Sequence, residues 1–205
     1  MLLPMKLSKA YYLQNDVVLI AKDLLGKVLF TRINGRVTGG IITETEAYAG
    51  ITDKASHAFG GRRTSRTETM YARGGIAYVY LCYGIHHLFN VVTNDKDIPD
   101  AILIRAIVPY HNEALILQRR GQNKWSKILL NGPGKLSIGL GINQHLNHSS
   151  LLGDNIWIED KDIRVDQSLI QTSPRIGVDY AEEDALLPYR FFVDDKTAYK
   201  RWHNP

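Results

Sequence analysis

The dipeptide Asn34-Gly35 separates two runs of strand-forming residues, and it constrains the fold more than any other feature of the chain. Asn-Gly is a strong signal for a two-residue β-hairpin turn, because both positions accept the positive φ angles that such a turn requires. The flanking runs are KVLFTRI over 27–33 and RVTGGIITETEA over 36–47. The sequence therefore predicts two antiparallel strands joined at this turn.

The remaining secondary structure is predicted from periodicity and from turn residues. Strands are predicted over 27–33, 36–47, 76–82, 87–93, 101–108, 155–159 and 189–193, and helices over 16–25, 111–120 and 135–141. Residues 48–66 show no sustained period, so we expect a long ordered loop of the kind that is often functional. The order lacks the regular βαβ alternation of a Rossmann fold. The fold class is therefore mixed α/β (α+β), with a single compact domain over 1–205 and a curved, largely antiparallel sheet flanked by helices.

Composition limits the functional classes. The 205 residues carry a net charge of +4, which permits an anionic partner such as nucleic acid without requiring one. The single cysteine, Cys82, excludes an intramolecular disulfide and any cysteine-based zinc site. No segment has the length and apolarity of a membrane span, and the first residues lack the apolar core of a signal peptide. We expect a cytoplasmic protein, associated with the nucleoid if bacterial and nuclear if eukaryotic.

Two carboxylates lie on one face of the second predicted strand. In ITETEAY, residues 42–48, side chains alternate, so Glu44, Glu46 and Tyr48 point to the same side. Glutamate is disfavoured in strands, and a solvated strand face is the simplest explanation for two of them. The strand leads, however, into a polar loop that carries His57 and a basic run. A carboxylate, an imidazole and a phosphate-binding patch together make a candidate hydrolytic site.

The basic run is GGRRTSR, residues 60–66. Arginine, hydroxyl and glycine N–H groups are the usual ligands of phosphate oxygens, so Arg62, Thr64 and Arg66 are candidate DNA-backbone contacts. A solvated surface loop is the alternative. Lys135, after the Gly132-Pro133-Gly134 turn, is a further candidate at a helix N-terminus, where a plain turn is the alternative.

The run YVYLCYG, residues 78–84, ends on an aromatic residue beside a turn-forming glycine. Tyr78, Tyr80 and Cys82 share one strand face, and Tyr83 falls on the other. Tyr83 with Ile85 could act as a wedge between base pairs, because an enzyme that extrudes a nucleotide must fill the gap that it leaves. The alternative is that Tyr83 caps the core.

These motifs together resemble those of the alkyladenine (3-methyladenine) DNA glycosylase family. The resemblance rests on residues 44–92, which begin ETEAYAGITDKASHAFGGRRTSR and continue through YVYLCYG, and on AILIRAIVP, NGPGKL and PRIGVDYA further along. The resemblance implies a catalytic general base at Glu46, a catalytic arginine at Arg105, a wedge at Tyr83 and a base pocket formed by Tyr48, His57, Tyr80 and Asn90. Thr67 departs from the pattern, since an asparagine is expected there.

The resemblance also implies a reaction. A monofunctional glycosylase would flip 3-methyladenine, 7-methylguanine and related purines out of double-stranded DNA, and a Glu-activated water would release the base and leave an abasic site. No lysine lies in the segment ETEAY around Glu46, so we expect no lyase step. We expect a monomer that requires no cofactor and no metal.

Two functions of other classes compete with this one. A noncatalytic nucleic-acid-binding module would use the arginine loop and Tyr83 without chemistry, but Glu46 stands at the catalytic position. A histidine/carboxylate metalloenzyme is disfavoured because the adjacent His86 and His87 point to opposite strand faces. Among the other residues, Cys82 is expected in the core, and Arg175 and Arg190 at a solvated surface.

Overall fold

A computed structural model describes residues 5–194, and its main feature is a curved sheet of antiparallel strands. In the described chain the strands are β1 (Met5–Lys6), β2 (Val28–Ile33), β3 (Arg36–Tyr48), β4 (Ile76–Cys82), β5 (His86–Thr93), β6 (Asp100–His111), β7 (Ile156–Asp160), β8 (Gln171–Ser173) and β9 (Arg190–Phe192). The α-helices are α1 (Lys9–Tyr12), α2 (Val17–Asp23), α3 (Glu113–Arg119) and α4 (Pro133–Leu140). Short 3-10 helices lie at Phe59–Gly61, Glu68–Tyr71, Gln144–Leu146, Gln167–Leu169 and Asp179–Leu186.

The sheet is organised around β3. Its strand order is β1-β7-β2-β3-β6-β5-β4, and β9 pairs with the second half of β3 and with β8. The predicted β2–β3 hairpin is confirmed, since Ile33 pairs with Arg36. Asn34 has φ 51° and Gly35 has φ 74°, as this turn type requires. Because β3 is central, the residues at its end are enclosed on both edges.

One face of the sheet carries helices. Asp16 caps α2 by accepting hydrogen bonds from the backbone of Val18 and Leu19. The apolar side of α2 then packs into the main core together with residues of β3, including Ile42 and Ala47. Helix α4 buries Leu136 and Leu140 in the same core. Burial of this apolar surface is the main stabilising contribution to such a fold.

The predicted fold class is confirmed, and the described residues form one compact domain. Every predicted strand and helix is present, with boundaries that differ by at most three residues. The sequence reasoning missed β1, α1 and β8, which are too short to show a period. The predicted domain limits include 1–4 and 195–205, which lie outside the described residues. Within the described chain, no helix combines the length and apolarity that a membrane crossing would need.

Candidate active site

Two β-bulges in the β3–β6 pair bring the polar residues of the site together. The register between the two strands shifts twice over residues 42–45 of β3, leaving Thr43 and Arg105 as extra residues. A bulge bends its strand and redirects side chains, and bulges are frequent next to active sites. Here the bulge on β6 places the Arg105 side chain on the side of the sheet that carries Glu44 and Glu46.

Glu46 is fully buried and hydrogen-bonded through both oxygens. Its side chain is 0% exposed. Oε1 accepts from the backbone N–H of Ile176 at 2.8 Å, while Oε2 accepts from the Tyr48 hydroxyl at 2.8 Å and from Arg105 Nη1 at 3.2 Å. The shared face of Glu46 and Tyr48 is therefore confirmed, and the solvated-face alternative is wrong for Glu46.

Glu44 anchors the other side of Arg105. One oxygen of Glu44 accepts from Arg105 Nε at 2.8 Å and from Arg190 Nε at 2.6 Å. Arg105 therefore bridges both glutamates, because different nitrogens of its guanidinium face each carboxylate. The expectation that Arg190 is merely solvated is wrong, since it holds this network at its outer end.

Arg175 is buried beneath Tyr48, so its predicted surface position is wrong. Its Nη2 donates to Asp53 Oδ1 at 2.8 Å, and its Nη1 donates to the other oxygen of the same carboxylate. Nη1 also donates to the backbone carbonyl of Ala47 at 2.9 Å. The guanidinium carbon lies 4.8 Å from the Tyr48 ring centroid. The motif PRIGVDYA contains this arginine, but a motif alone does not reveal burial.

We refer to Glu44, Glu46, Tyr48, Arg105 and Arg175 as the floor. Above it lies a cleft of about 790 Å³. The predicted site residues that line this cleft are Tyr48, His57, Arg66, Tyr80, Tyr83, Asn90, Arg105 and Lys135. Tyr78, Ile176 and Tyr180 also line it and were absent from the predicted site. Glu46 lies beneath the cleft surface and is closed to solvent.

The aromatic walls of the cleft hold His57 between two tyrosines. His57 Nδ1 lies 3.0 Å from the Tyr78 hydroxyl, and its ring centroid is 4.7 Å from that of Tyr80. Burial, together with the positive charges of Arg66 and Arg62, lowers the pKa of His57 to about 4. The imidazole is therefore neutral at neutral pH, which disfavours His57 as a proton donor to a departing base.

Tyr48 and Asn90 are fixed by hydrogen bonds. Burial and the negative charge of Glu46 raise the pKa of Tyr48 well above its ordinary value. The phenol thus stays protonated and donates to the carboxylate. Asn90 is buried on β5, and its Nδ2 donates to the backbone carbonyl of Tyr78 at 3.2 Å. Both side chains are positioned before any ligand enters.

The tip of the β4–β5 hairpin projects from the mouth of the cleft. Tyr83 is 91% exposed and Ile85 is 70% exposed, so the alternative that Tyr83 caps the core is wrong. The turn needs positive φ at both Tyr83 (50°) and Gly84 (73°), and it is closed by a hydrogen bond from the Ile85 N–H to the Cys82 carbonyl at 3.1 Å. Cys82 is half-buried and lines the cleft, which corrects its predicted place in the core.

The arginine loop divides into paired and unpaired residues. Arg63 donates to Glu68 and to Asp97, so it stabilises the loop itself. Arg62 and Arg66 form no ion pair within residues 5–194. Arg66 lines both the cleft and a neighbouring pocket of about 480 Å³, whereas Arg62 lines only the neighbouring pocket.

Thr64 and Thr67 hold the loop in shape. The buried Thr67 accepts from the backbone N–H of Thr64 at 2.8 Å and donates to the backbone carbonyl of Arg62 at 3.1 Å. The threonine that departs from the family pattern therefore still anchors the loop. Thr64 lines the neighbouring pocket together with Arg62. We refer to Arg62, Arg66, Tyr83 and Ile85 as the rim.

The N-terminus of α4 is fastened to the floor. The N–H of Gly132 donates to the backbone carbonyl of Arg105 at 3.0 Å. The ring of His86 packs on Gly134, where a Cβ would come within 2.9 Å of it. This packing brings Lys135 to the cleft. No group of three His, Cys, Asp or Glu side chains in the described part of the chain is arranged to hold a metal ion.

Comparison with known proteins identifies the family of this chain. Residues 11–197 match the family model described as Methylpurine-DNA glycosylase (MPG). A Chlamydia felis protein is 49% identical over 195 residues, covering 95% of this chain and 99% of the relative. Relatives from Desulfitobacterium hafniense and Clostridium perfringens strain 13 are each 41% identical and cover 93% of this chain and 96% and 97% of their own lengths. All three are named "Putative 3-methyladenine DNA glycosylase". The chain therefore belongs to the methylpurine-DNA glycosylase family.

Proposed function

We propose that the chain is a DNA glycosylase that removes alkylated purines from double-stranded DNA by hydrolysing the N-glycosidic bond. The observation that carries the proposal is the carboxylate of Glu46, which three donors hold beneath an aromatic cleft. The names of the relatives support 3-methyladenine as a substrate. We extend the proposal to 7-methylguanine and related alkylated purines.

Glu46 is proposed as the general base. Its Oε2 already accepts two hydrogen bonds, whereas Oε1 accepts one, from Ile176. A carboxylate oxygen has two lone-pair positions, so one acceptor position remains at Oε1. We place the attacking water there. Because the carboxylate is fully buried, the entering nucleotide must open space for that water.

The proposed reaction balances without a further reactant. The oxygen of the water bonds to C1′ of the sugar, its proton passes to Glu46, and the base leaves with the electron pair of the broken bond. The carboxylate also stabilises the positive charge that develops on the sugar. General-base assistance of this kind is worth about 10²–10⁴-fold in rate. Arg105 holds the carboxylate in position from the opposite side.

The flipped base is proposed to lie between Tyr48, His57 and Tyr80. These aromatic side chains all line the cleft. Asn90 is proposed to disfavour undamaged guanine by opposing its exocyclic amine, since its amide is fixed by the hydrogen bond to the Tyr78 carbonyl. The volume of the cleft, about 790 Å³, is ample for a purine nucleotide.

DNA is proposed to bind across the mouth of the cleft. Tyr83, with Ile85 beside it, would enter the duplex and fill the gap left by the flipped nucleotide. Their exposure in the free chain supports this role. Phosphates of the DNA are proposed to contact three neighbouring cations and one hydroxyl group. The cations belong to Arg62, Arg66 and Lys135, and the hydroxyl belongs to Thr64.

The product is proposed to be an abasic site without strand cleavage. A lyase step needs an amine that attacks C1′, and Lys135 is the lysine among the residues that line the cleft. Because Lys135 is proposed to contact a phosphate, its amine should form no Schiff base with the sugar. Borohydride treatment should therefore trap no covalent adduct with DNA. We further propose that the protein is a monomer. We also propose that it acts on cytoplasmic DNA, because the relatives compared come from bacteria.

The test is single-turnover release of labelled 3-methyladenine from a duplex. Wild type should release the base in the presence of a chelator, and Glu46→Gln should be slower by about 10²–10⁴-fold while still binding the duplex. Glu68→Gln, which alters an exposed carboxylate paired with Arg63, is the matched control and should keep the wild-type rate. Binding without release by wild type would instead favour a noncatalytic binding module.

A further inference from the structure

Arg66 places a positive charge at the wall of the proposed base pocket. Its guanidinium carbon lies 4.9 Å from the centroid of the Tyr80 ring. The side chain lines the cleft and the pocket beside it. Within the described residues no carboxylate pairs with it, so none of them neutralises this charge. The guanidinium therefore faces the space that a flipped base would occupy.

The charge of Arg66 already acts on the groups that line this space. After burial itself, it is the largest influence that lowers the pKa of His57. It also opposes the effect of burial on the pKa of Tyr78. Since His57 is neutral at neutral pH, the imidazole supplies no competing positive charge beside the base. Arg66 then supplies a positive charge that acts on both of these aromatic walls.

Damaged purines differ in the charge that they bring into such a pocket. Alkylation at N3 or N7 gives the base a positive charge, and this charge disappears when the base leaves with the bond's electron pair. A neutral lesion such as hypoxanthine instead brings no charge into the pocket, and the proton that its departing base needs comes from water. A fixed positive charge therefore opposes the entry of the first class but not of the second class. Breaking the bond lowers the charge of either base by one unit, so the fixed charge favours both departures and discriminates at entry.

We propose that Arg66 determines lesion specificity in this cleft by favouring neutral damaged purines over purines that carry a positive charge. The inference rests on the proposed glycosylase function and concerns the substrate class of the same site. The phosphate contact proposed above for Arg66 does not produce this preference, because a contact to the DNA backbone strengthens binding of all duplexes alike.

The experiment measures single-turnover release of hypoxanthine and of 7-methylguanine from otherwise identical duplexes. The variants are Arg66→Gln, Arg66→Lys and Arg62→Gln. Arg62 is the matched control, because it belongs to the same loop and is likewise unpaired but lines only the neighbouring pocket. Equilibrium Kd values for the same two duplexes are measured alongside the rates.

In Arg66→Gln, the ratio of the 7-methylguanine rate to the hypoxanthine rate should rise by about threefold or more, as expected for removal of one partly solvated charge near the base. Arg66→Lys should keep a ratio near the wild-type value, and Arg62→Gln should lower both rates by the same factor. An unchanged ratio in Arg66→Gln overturns the inference and leaves Arg66 as a phosphate contact only.

Failure of the proposed function can be distinguished from failure of this inference. If wild type releases neither base, the glycosylase proposal fails, and the Kd values decide the inference. Arg66→Gln should then tighten binding of the 7-methylguanine duplex relative to the hypoxanthine duplex. An unchanged Kd ratio would overturn the charge preference as well.

Discussion

The floor and the rim of the cleft hold their functional groups in opposite ways. On the floor, Glu46 is fully buried with three donors, and Arg175 is enclosed by Asp53 and Tyr48. On the rim, Tyr83 is almost fully exposed and Arg66 has no ion-pair partner among the described residues. The charged groups of the floor are held by one another and by neighbouring residues, whereas the rim presents groups that a ligand can still satisfy.

This difference follows from the energetics of burial. Charged groups taken out of water destabilise the fold unless partners surround them, and each charged side chain of the floor is paired with at least one opposite charge. Exposed groups keep their hydration and contribute little to folding. We therefore expect changes to the floor to affect the free energy of unfolding strongly, and changes to the rim to affect binding alone.

The largest effect on stability is predicted for Arg175→Met. This change leaves Asp53 buried without its cation, and breaking a buried pair typically costs about 3–5 kcal/mol. Urea-induced unfolding measures the loss. The double variant Arg175→Met/Asp53→Asn should recover part of it, because no uncompensated charge remains.

Arg63→Gln is the matched control for a surface arginine. Arg63 also contacts two carboxylates, but all three side chains are exposed, so its loss should change the unfolding transition little. A stability of Arg175→Met within 1 kcal/mol of wild type would contradict the view that the floor is structurally closed.

A smaller effect is predicted from His57, which lies between floor and rim. Its folded-state pKa is about 4, below its ordinary value of 6.5, so the unfolded chain binds the proton more readily. The stability contributed by the neutral imidazole is full above pH 6.5 and is lost as the pH falls towards 4. The free energy of unfolding should decrease by about 1–3 kcal/mol more over this range in wild type than in His57→Gln.

His145→Gln is the control, because His145 is an exposed histidine of the same chain. Its pH dependence of unfolding should match wild type, which separates the buried imidazole from general acid destabilisation. If the free energy of unfolding depended on pH in the same way in wild type and in His57→Gln, the walls of the cleft would not disfavour a cation at this position.

The sequence predicted the fold well because its strongest signals are local. Asn34-Gly35 sets the β2–β3 turn, and the apolar period over residues 16–25 sets α2. The short strands β1 and β8 were missed, because two or three residues are too few to show a periodic pattern. Such strands form only because a partner strand is present. Tertiary pairing decides such elements.

The site was predicted in part, and the missed part depends on tertiary structure. Alternation along β3 correctly grouped Glu44, Glu46 and Tyr48, because side-chain direction in a strand is a local property. Arg175 was assigned to the surface, since nothing local distinguishes an arginine that meets Asp53 across more than a hundred residues. The roles of the predicted residues in catalysis and DNA binding stay predictions.

The smallest effect on stability is predicted for Tyr83→Ala. This variant should also show the largest difference between its effect on the free energy of unfolding and its effect on DNA binding. The ring is 91% exposed, so the free energy of unfolding should stay within about 0.5 kcal/mol of wild type. Loss of a side chain that stacks on bases costs about 1–3 kcal/mol, which corresponds to a roughly 5- to 150-fold weaker Kd for lesion-containing duplex. Fluorescence anisotropy measures this Kd.

Tyr110→Ala supplies the opposite case. Tyr110 lies near the far end of β6, and its ring packs edge-on against Phe30 at 6.0 Å, so its removal should reduce stability and leave the Kd unchanged. Because the two tyrosines differ in which quantity they affect, the pair tests the division between floor and rim directly. If Tyr83→Ala destabilised the fold, the division between floor and rim would be wrong. If both variants bound lesion DNA like wild type, the hairpin tip would not act as a wedge, and the exposed rim would bind a different ligand.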